Sequence, residues 1–146
     1  TLLSNLDPLF KKNGWDLQSQ QWGIDLVELL KPSMVLINDG VNQAKPFFEE
    51  PKLKEDGKKQ LAIKNAKEIL KFIHENLEKL DSSSIDEKQA IDLLNQATKT
   101  CEVKKGVVMK SLRAALFGTL NGPDLIKSWV LLSRFGKDRT RISRFL

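Results

Sequence analysis

Apolar positions along this chain recur at spacings of three and four, and they predict helices almost throughout. Leu2, Leu3, Leu6, Leu9 and Phe10 form a first stripe, in a segment whose regularity Pro8 limits. Ser19 is placed to cap a second helix carrying Trp22, Leu26, Leu29 and Leu30, and Pro32 lies just past its expected end. The next stretch, VLINDGVNQAKPFFEEPKL, is dense in Asn, Asp, Gly and Pro. It reads as a loop with a short helical turn that anchors Phe47 and Phe48. A long helix is expected from about Gly57 to Leu80, because Ala62, Ala66, Ile69, Ile73, Leu77 and Leu80 share one face. DSSSIDE interrupts the pattern, and Ser84 with Glu87 has the spacing of a capping box for a helix carrying Ile91, Leu94 and Cys101. Val107, Val108, Leu112 and Leu116 mark another helix. Leu125, Ile126, Trp129 and Leu132 mark the one after it, with Gly136 beyond, and KDRTRISRFL sets Ile142, Phe145 and Leu146 on an apolar side. The strand-like signal is confined to the short MVLI, so the fold class is all-α.

One junction carries more than structure requires. In KSLRAALFGTLNGPDL, residues 110–125, Leu112 and Leu116 lie four apart and Ala114 and Ala115 favour helix. Gly118 is expected to stop that helix, since Gly readily takes the left-handed conformation past a helix C-terminus. Asn121-Gly122-Pro123 is expected to start the next, with Pro suited to the first helical position. Such a turn needs its glycines but not Lys110 and Arg113, which lie near it. The cations make this corner a candidate electrostatic site.

Charge supports that candidate. The chain of 146 residues carries a net +5, which is unevenly spread. Residues 1–50 sum to −3, residues 51–100 to +1 and residues 101–146 to +7. A basic last third is the footprint of a nucleic-acid partner, although many basic faces are merely solvated. The length suits one domain or two small lobes sharing a core. No run approaches the ~18 apolar residues of a membrane span, and no basic-then-apolar signal segment opens the chain. The chain starts without Met and already in an amphipathic pattern, as an excised piece of a longer protein would. Cys101 is the single cysteine. It excludes an internal disulfide, fits a reducing compartment, and reads as a small core residue rather than a nucleophile.

Catalytic chemistry is not in evidence. His74 is the single histidine, set on a helix among Phe72, Ile73 and Leu77, so neither a His pair nor a Cys pair exists to hold a metal. GTLNGPDL lacks the Lys-Ser or Lys-Thr of a phosphate-binding P-loop. The carboxylates of KEDGKK and DEKQ read as solvated surface rather than a paired acid and base.

The segment from Lys110 to Leu146 resembles the C-terminal end of bacterial-type glutamyl-tRNA synthetase. That family shows Pro-Leu-Arg-Ala-Ala-Leu-Thr-Gly, a Gly-Pro pair, and then Leu-Leu-Gly-Lys-Glu-Arg. Leu112, Arg113, Ala114, Ala115, Leu116 and Gly118 match, then Gly122 and Pro123, then Gly136, Lys137, Asp138 and Arg139. Ser111 stands for Pro, Phe117 for Thr, and Arg134-Phe135 is extra. The N-terminal third agrees: LDPLFKKNGWDL and WGIDLVELLKPSMVLINDG with AKPFFEEP are similar to the family's segment entering its anticodon-binding domain, Phe47 and Phe48 matching an aromatic pair. The family's His-Ile-Gly-His signature is missing, and VMKSL has the wrong order for its Lys-Met-Ser-Lys loop.

The resemblance therefore implies an anticodon-binding domain over residues 1–146, an all-helical cage of two sub-lobes divided at about 101/102, without aminoacylation machinery. It implies a cytoplasmic protein whose partners are the anticodon loop of a tRNA, expected to be the tRNA for glutamate, and a catalytic domain of the same chain. ATP and magnesium are expected in that catalytic domain, with no cofactor or metal here. Arg113 would bond or stack on a base, and Gly122 would open a helix entrance whose N–H groups meet RNA oxygens, with Pro123 fixing that entrance. Asn121 joins these contacts, Leu125 would pack on a base face, and Lys110 and Lys31 would attract phosphates. Ser33 stands where the family often has an Arg that inspects the anticodon's third base. Leu112, Leu116, Ile126, Trp129 and Trp22 read as core, while Trp15 is undecided. Arg134, Arg139, Arg141 and Arg144 either follow phosphates or keep the surface soluble. The rival reading is a non-enzymatic helical protein-interaction domain with an incidental basic tail, indifferent to RNA and to salt. A stand-alone RNA-binding module is a second rival.

Overall fold

A computed structural model describes residues 2–17, 19–34, 37–80 and 84–146. Among the described residues all regular structure is helical, in the order α1 (Leu2–Lys12), α2 (Gln20–Leu30), a 3-10 turn (Lys31–Ser33), α3 (Ile37–Phe48), α4 (Glu55–Leu61), α5 (Ala66–Glu78), α6 (Glu87–Thr100), α7 (Lys105–Phe117), α8 (Leu125–Ser133) and α9 (Lys137–Ser143). Val35 and Leu36 of MVLI, and Asp81, Ser82 and Ser83 of the expected break, lie outside the described residues. Contacts divide the chain into two compact units, Thr1–Glu50 and Pro51–Leu146. The division expected near 101/102 instead falls within the second unit, because α6 packs on α7 and α8 across it.

In the first unit α1, α2 and α3 pack on one another. Ser19 caps α2 as its sequence predicts, its side chain accepting from the Trp22 N–H at 3.1 Å. The core is aromatic. Phe10, Trp15 and Trp22 are buried, and the Trp15 ring stacks on Phe48 with centroids 5.1 Å apart. Trp15 is thus a core residue, and its Nε1–H donates to Glu49 at 2.8 Å. Two breaker-based expectations fail here. Pro8 lies inside α1, and the stretch 35–53, expected to be a loop with one short helical turn, contains a full helix at Ile37–Phe48 with Pro46 inside its last turn. The breakers there serve packing: a Cβ on Gly40 would press on Leu6 of α1, and Asp39 suits a helix's first turn.

In the second unit α7 is the central element, packed by α4, α5, α6, α8 and α9. Ser111, Leu112, Ala114, Ala115, Leu116 and Phe117 are all buried, as in any helix surrounded by others. Each fully buried Leu contributes about 1.5–3 kcal/mol. The long helix expected over 57–80 is broken at residues 62–65. No Gly or Pro lies at the break. Among the described helices α4 packs chiefly on α7, whereas α5 packs on α6 and α9 as well as α7. Ala62, expected in the apolar stripe, is exposed. The cap of α6 is Asp86 with Gln89, not Ser84 with Glu87, and Ile91 is exposed while Ala90, Leu93, Leu94 and Ala97 face the core. Cys101 is buried as expected, and burial raises its thiol pKa.

Candidate nucleic-acid interface

The burial of α7 determines where its cations can go. Lys110 is exposed and Arg113, one turn on, is half-buried, so the two mark the helix's open strip. Gly118 ends α7 at φ +74°, the left-handed cap its sequence predicts. The chain then turns back over Arg113. Gly122 sits at φ +151°, and a Cβ there would lie 2.9 Å from Arg113 Nη1. The backbone thus approaches the guanidinium where any other residue would crowd it.

Arg113 Nη1 is buried and has no hydrogen-bond partner among the described residues. Burial lowers the guanidinium pKa from its ordinary value, while the charge of Asp124 works in the opposite sense. Arginine remains protonated in any such setting. The result is a partly desolvated cation with a nitrogen that no described residue engages. A cation of this kind interacts more strongly with an incoming acceptor than a solvated one does.

Two expectations at this corner are corrected. The next helix does not begin at Gly122-Pro123: Asp124 is its N-cap, accepting from the Lys127 N–H at 2.9 Å, and Pro123 precedes the cap. A carboxylate therefore occupies the entrance where RNA oxygens were expected. Leu125 is 3% exposed and packs in the core, so no base can stack on its face. Asn121 and Gly122 are exposed and Pro123 is half-buried, leaving the turn itself as the accessible backbone. Lys31 and Ser33 belong to the first unit. Both are exposed on the 3-10 turn, and Ser33 Oγ lies 2.6 Å from Gln43 Oε1.

The basic end of the chain is partly structural. Arg141 is buried and donates through Nη1 to the Leu116 carbonyl at 2.9 Å, tying α9 to α7. Asp138, earlier on the same helix, is fully buried and accepts from Trp129 Nε1 at 3.0 Å, tying α9 to α8. Arg134 and Arg144 are exposed, and Arg139 is half-buried. Sequence reasoning also missed Asp56. It lies in KEDGKK, assigned to solvated surface, yet it accepts hydrogen bonds from Thr119 and Leu120. Partners more than 60 positions away leave no local pattern to find.

The whole chain, residues 1–146, matches the family model for an anticodon binding domain. The chain belongs to the anticodon-binding domain family. A glutamate–tRNA ligase of Prochlorococcus marinus is 73% identical to this anticodon-binding domain over 146 residues. Another, from a Synechococcus strain, is 51% identical over 145 residues. The domain spans 31% of the first relative's length and 30% of the second's. The fold is that of part of a crystal structure of a glutamate tRNA ligase from Elizabethkingia meningosepticum, with TM-score 0.87 at 20% identity, covering 99% of this chain and 28% of that one.

Proposed function

We propose that this anticodon-binding domain holds the anticodon loop of a tRNA at the α7 corner, for a glutamate–tRNA ligase acting on tRNA for glutamate. The observation that carries the reading is Arg113: a half-buried cation under the Gly122 turn, with a nitrogen that no described residue engages. Unpaired bases in a loop offer both edges and faces, and a planar guanidinium can bond to the one or stack on the other. Asn121 and the bare backbone at Gly122 sit at the rim for further contacts. Lys110 and Lys31 attract phosphates, which positions the loop without reading it. Pro123 restricts the backbone between Gly122 and the Asp124 cap. Ser33 is the candidate for the third-base position.

The ligase assignment rests on relatives that carry that name at up to 73% identity, and it includes a cytoplasmic location. Attachment of glutamate, with its ATP and magnesium, belongs in this proposal to the rest of such a ligase. Among the described residues no group of His, Cys, Asp and Glu could hold a metal ion, and no helix is long and apolar enough to cross a membrane. Family membership does not favour a protein-interaction domain with an incidental basic tail. Binding of an anticodon stem–loop by the intact protein, titrated at two salt concentrations, tests the reading. Each phosphate neutralised adds about −0.7 to −0.9 to the slope of log affinity against log salt. Affinity indifferent to salt would overturn it.

A further inference from the structure

We propose that Asp56, on α4, is a positioning residue for the RNA-facing corner: its carboxylate sets the backbone that carries Asn121 and Gly122 over Arg113. The inference rests on the reading of that corner as an RNA contact.

The geometry runs from one helix to the other. Asp56 Oδ2 accepts from Thr119 Oγ1 at 2.8 Å and from the Leu120 N–H at 3.0 Å. Its Oδ1 accepts from the Gly57 N–H at 2.8 Å, which fixes the carboxylate on its own helix. On the other side of the turn, the Lys54 N–H donates to the Gly118 carbonyl at 2.8 Å. The start of α4 therefore holds the chain leaving α7 by both an acceptor and a donor. The two backbones lie so close at this crossing that a Cβ on Gly57 would collide with the Gly118 carbonyl oxygen. Between Gly118 and the Asp124 cap the chain forms no regular element, so helix hydrogen bonds do not fix its path. The Asp56 bonds act at Thr119 and Leu120, immediately before Asn121 and Gly122. The same donors keep the carboxylate below its ordinary pKa, with the Leu120 N–H the largest influence and Thr119 next.

Charge alone and positioning predict opposite signs. Removing an anionic side chain near a polyanion's site should tighten binding if Asp56 is only surface charge. If Asp56 positions the turn, its removal lowers the fraction of molecules with a competent corner, and apparent affinity falls in proportion. The test measures binding of the intact protein to an anticodon stem–loop of tRNA for glutamate. Asp56→Ala is expected to raise Kd about fivefold, as when the competent fraction drops to about one-fifth. The salt slope should not change, because no phosphate-neutralising cation is lost. Asp56→Asn keeps one carbonyl oxygen as acceptor for Thr119 and Leu120 but sets its amide NH₂ against the Gly57 N–H, losing that bond, and should recover part of the affinity. Thr119→Val removes one donor of the same clasp and should weaken binding in the same direction by less, which keeps the test decisive if Asp56→Ala folds poorly. Gln60→Ala is the control: it loses the bond to Ser111 Oγ at the far end of α4, 3.1 Å in length, and should leave Kd unchanged. Unchanged or tighter binding by both Asp56→Ala and Thr119→Val overturns the inference, as does an equal loss in Gln60→Ala. Arg113→Ala separates the two failures. If it weakens binding while the clasp variants do not, only the positioning role falls; if none of them weakens binding, the corner is not the RNA contact.

Discussion

Replacing Arg113 by Ala perturbs stability and binding in different measure, and the structure sets the size of each. The two stem methylenes that Ala does not keep, about half-buried, lose roughly 1 kcal/mol of packing at about 0.8 kcal/mol per fully buried CH₂. Two effects oppose that loss. Ala favours helix by a few tenths of a kcal/mol, and removing a cation that burial disfavours relieves its desolvation. The net cost to folding should be about 1 kcal/mol or less, equivalent to about 2–4 °C at most for a domain close to 150 residues long. Binding should suffer more, because the guanidinium's unused donor is lost together with its charge. A specific contact to a base edge is worth about 1–3 kcal/mol, or about 5- to 150-fold in Kd. Fluorescence anisotropy with a labelled anticodon stem–loop, at two salt concentrations, measures this alongside a thermal melt. A base contact leaves the salt slope unchanged and shrinks the preference over a loop with altered anticodon bases. A phosphate contact lowers the slope's magnitude by about 0.7–0.9. Wild-type affinity at both salt concentrations, accompanied by a drop well beyond about 4 °C, would refute the reasoning and make Arg113 a structural residue.

Gly118→Ala must place a Cβ at φ +74° and against the Lys52 backbone, with the Lys52 carbonyl carbon only 3.0 Å away. The left-handed strain and the crowding together should cost about 2–4 kcal/mol, and a melting temperature lowered by less than about 3 °C would contradict this. Burial raises the Asp138 carboxyl above its ordinary pKa, against the opposing influence of Trp129 and Arg139. The folded protein then binds that proton more readily than the unfolded chain, so Asp138's contribution to stability falls as pH rises through that range. Asp138→Asn keeps an acceptor for Trp129 and cannot ionise, so its melting temperature relative to wild type should rise from about pH 4 to about pH 7; a pH-independent difference counts against the burial argument. Ser33→Arg breaks the link to Gln43 and should sharpen the intact protein's choice between tRNAs differing in the anticodon's third base. Equal charging ratios for the two versions would show that Ser33 is not the selector.

The helical class was legible because burial of one face imposes a period of 3.6 residues on the sequence itself. Ser19 at the start of α2 and Gly118 at the end of α7 were legible for a similar reason: a cap bonds to residues a few positions away, so both partners lie in one window. The α7 corner was visible as cations beside glycines that a plain turn does not need. What local pattern could not supply was the identity of the surface each face meets. Gly40 and Pro46 read as breakers until α3 is seen packed on α1 and α2, where tertiary contacts outweigh propensity. The break between α4 and α5 has no Gly or Pro to mark it, and the two helices meet different partners, α4 chiefly α7 and α5 also α6 and α9. Leu125 belongs to the apolar stripe of its helix, the resemblance gave it a base to pack against, and the packing of the second unit buries it. The burial of Arg113 beneath Gly122, and the reach of Asp56 to Thr119 and Leu120, exist only once distant segments are brought together. Periodicity records that a face is covered; chain folding alone decides by what.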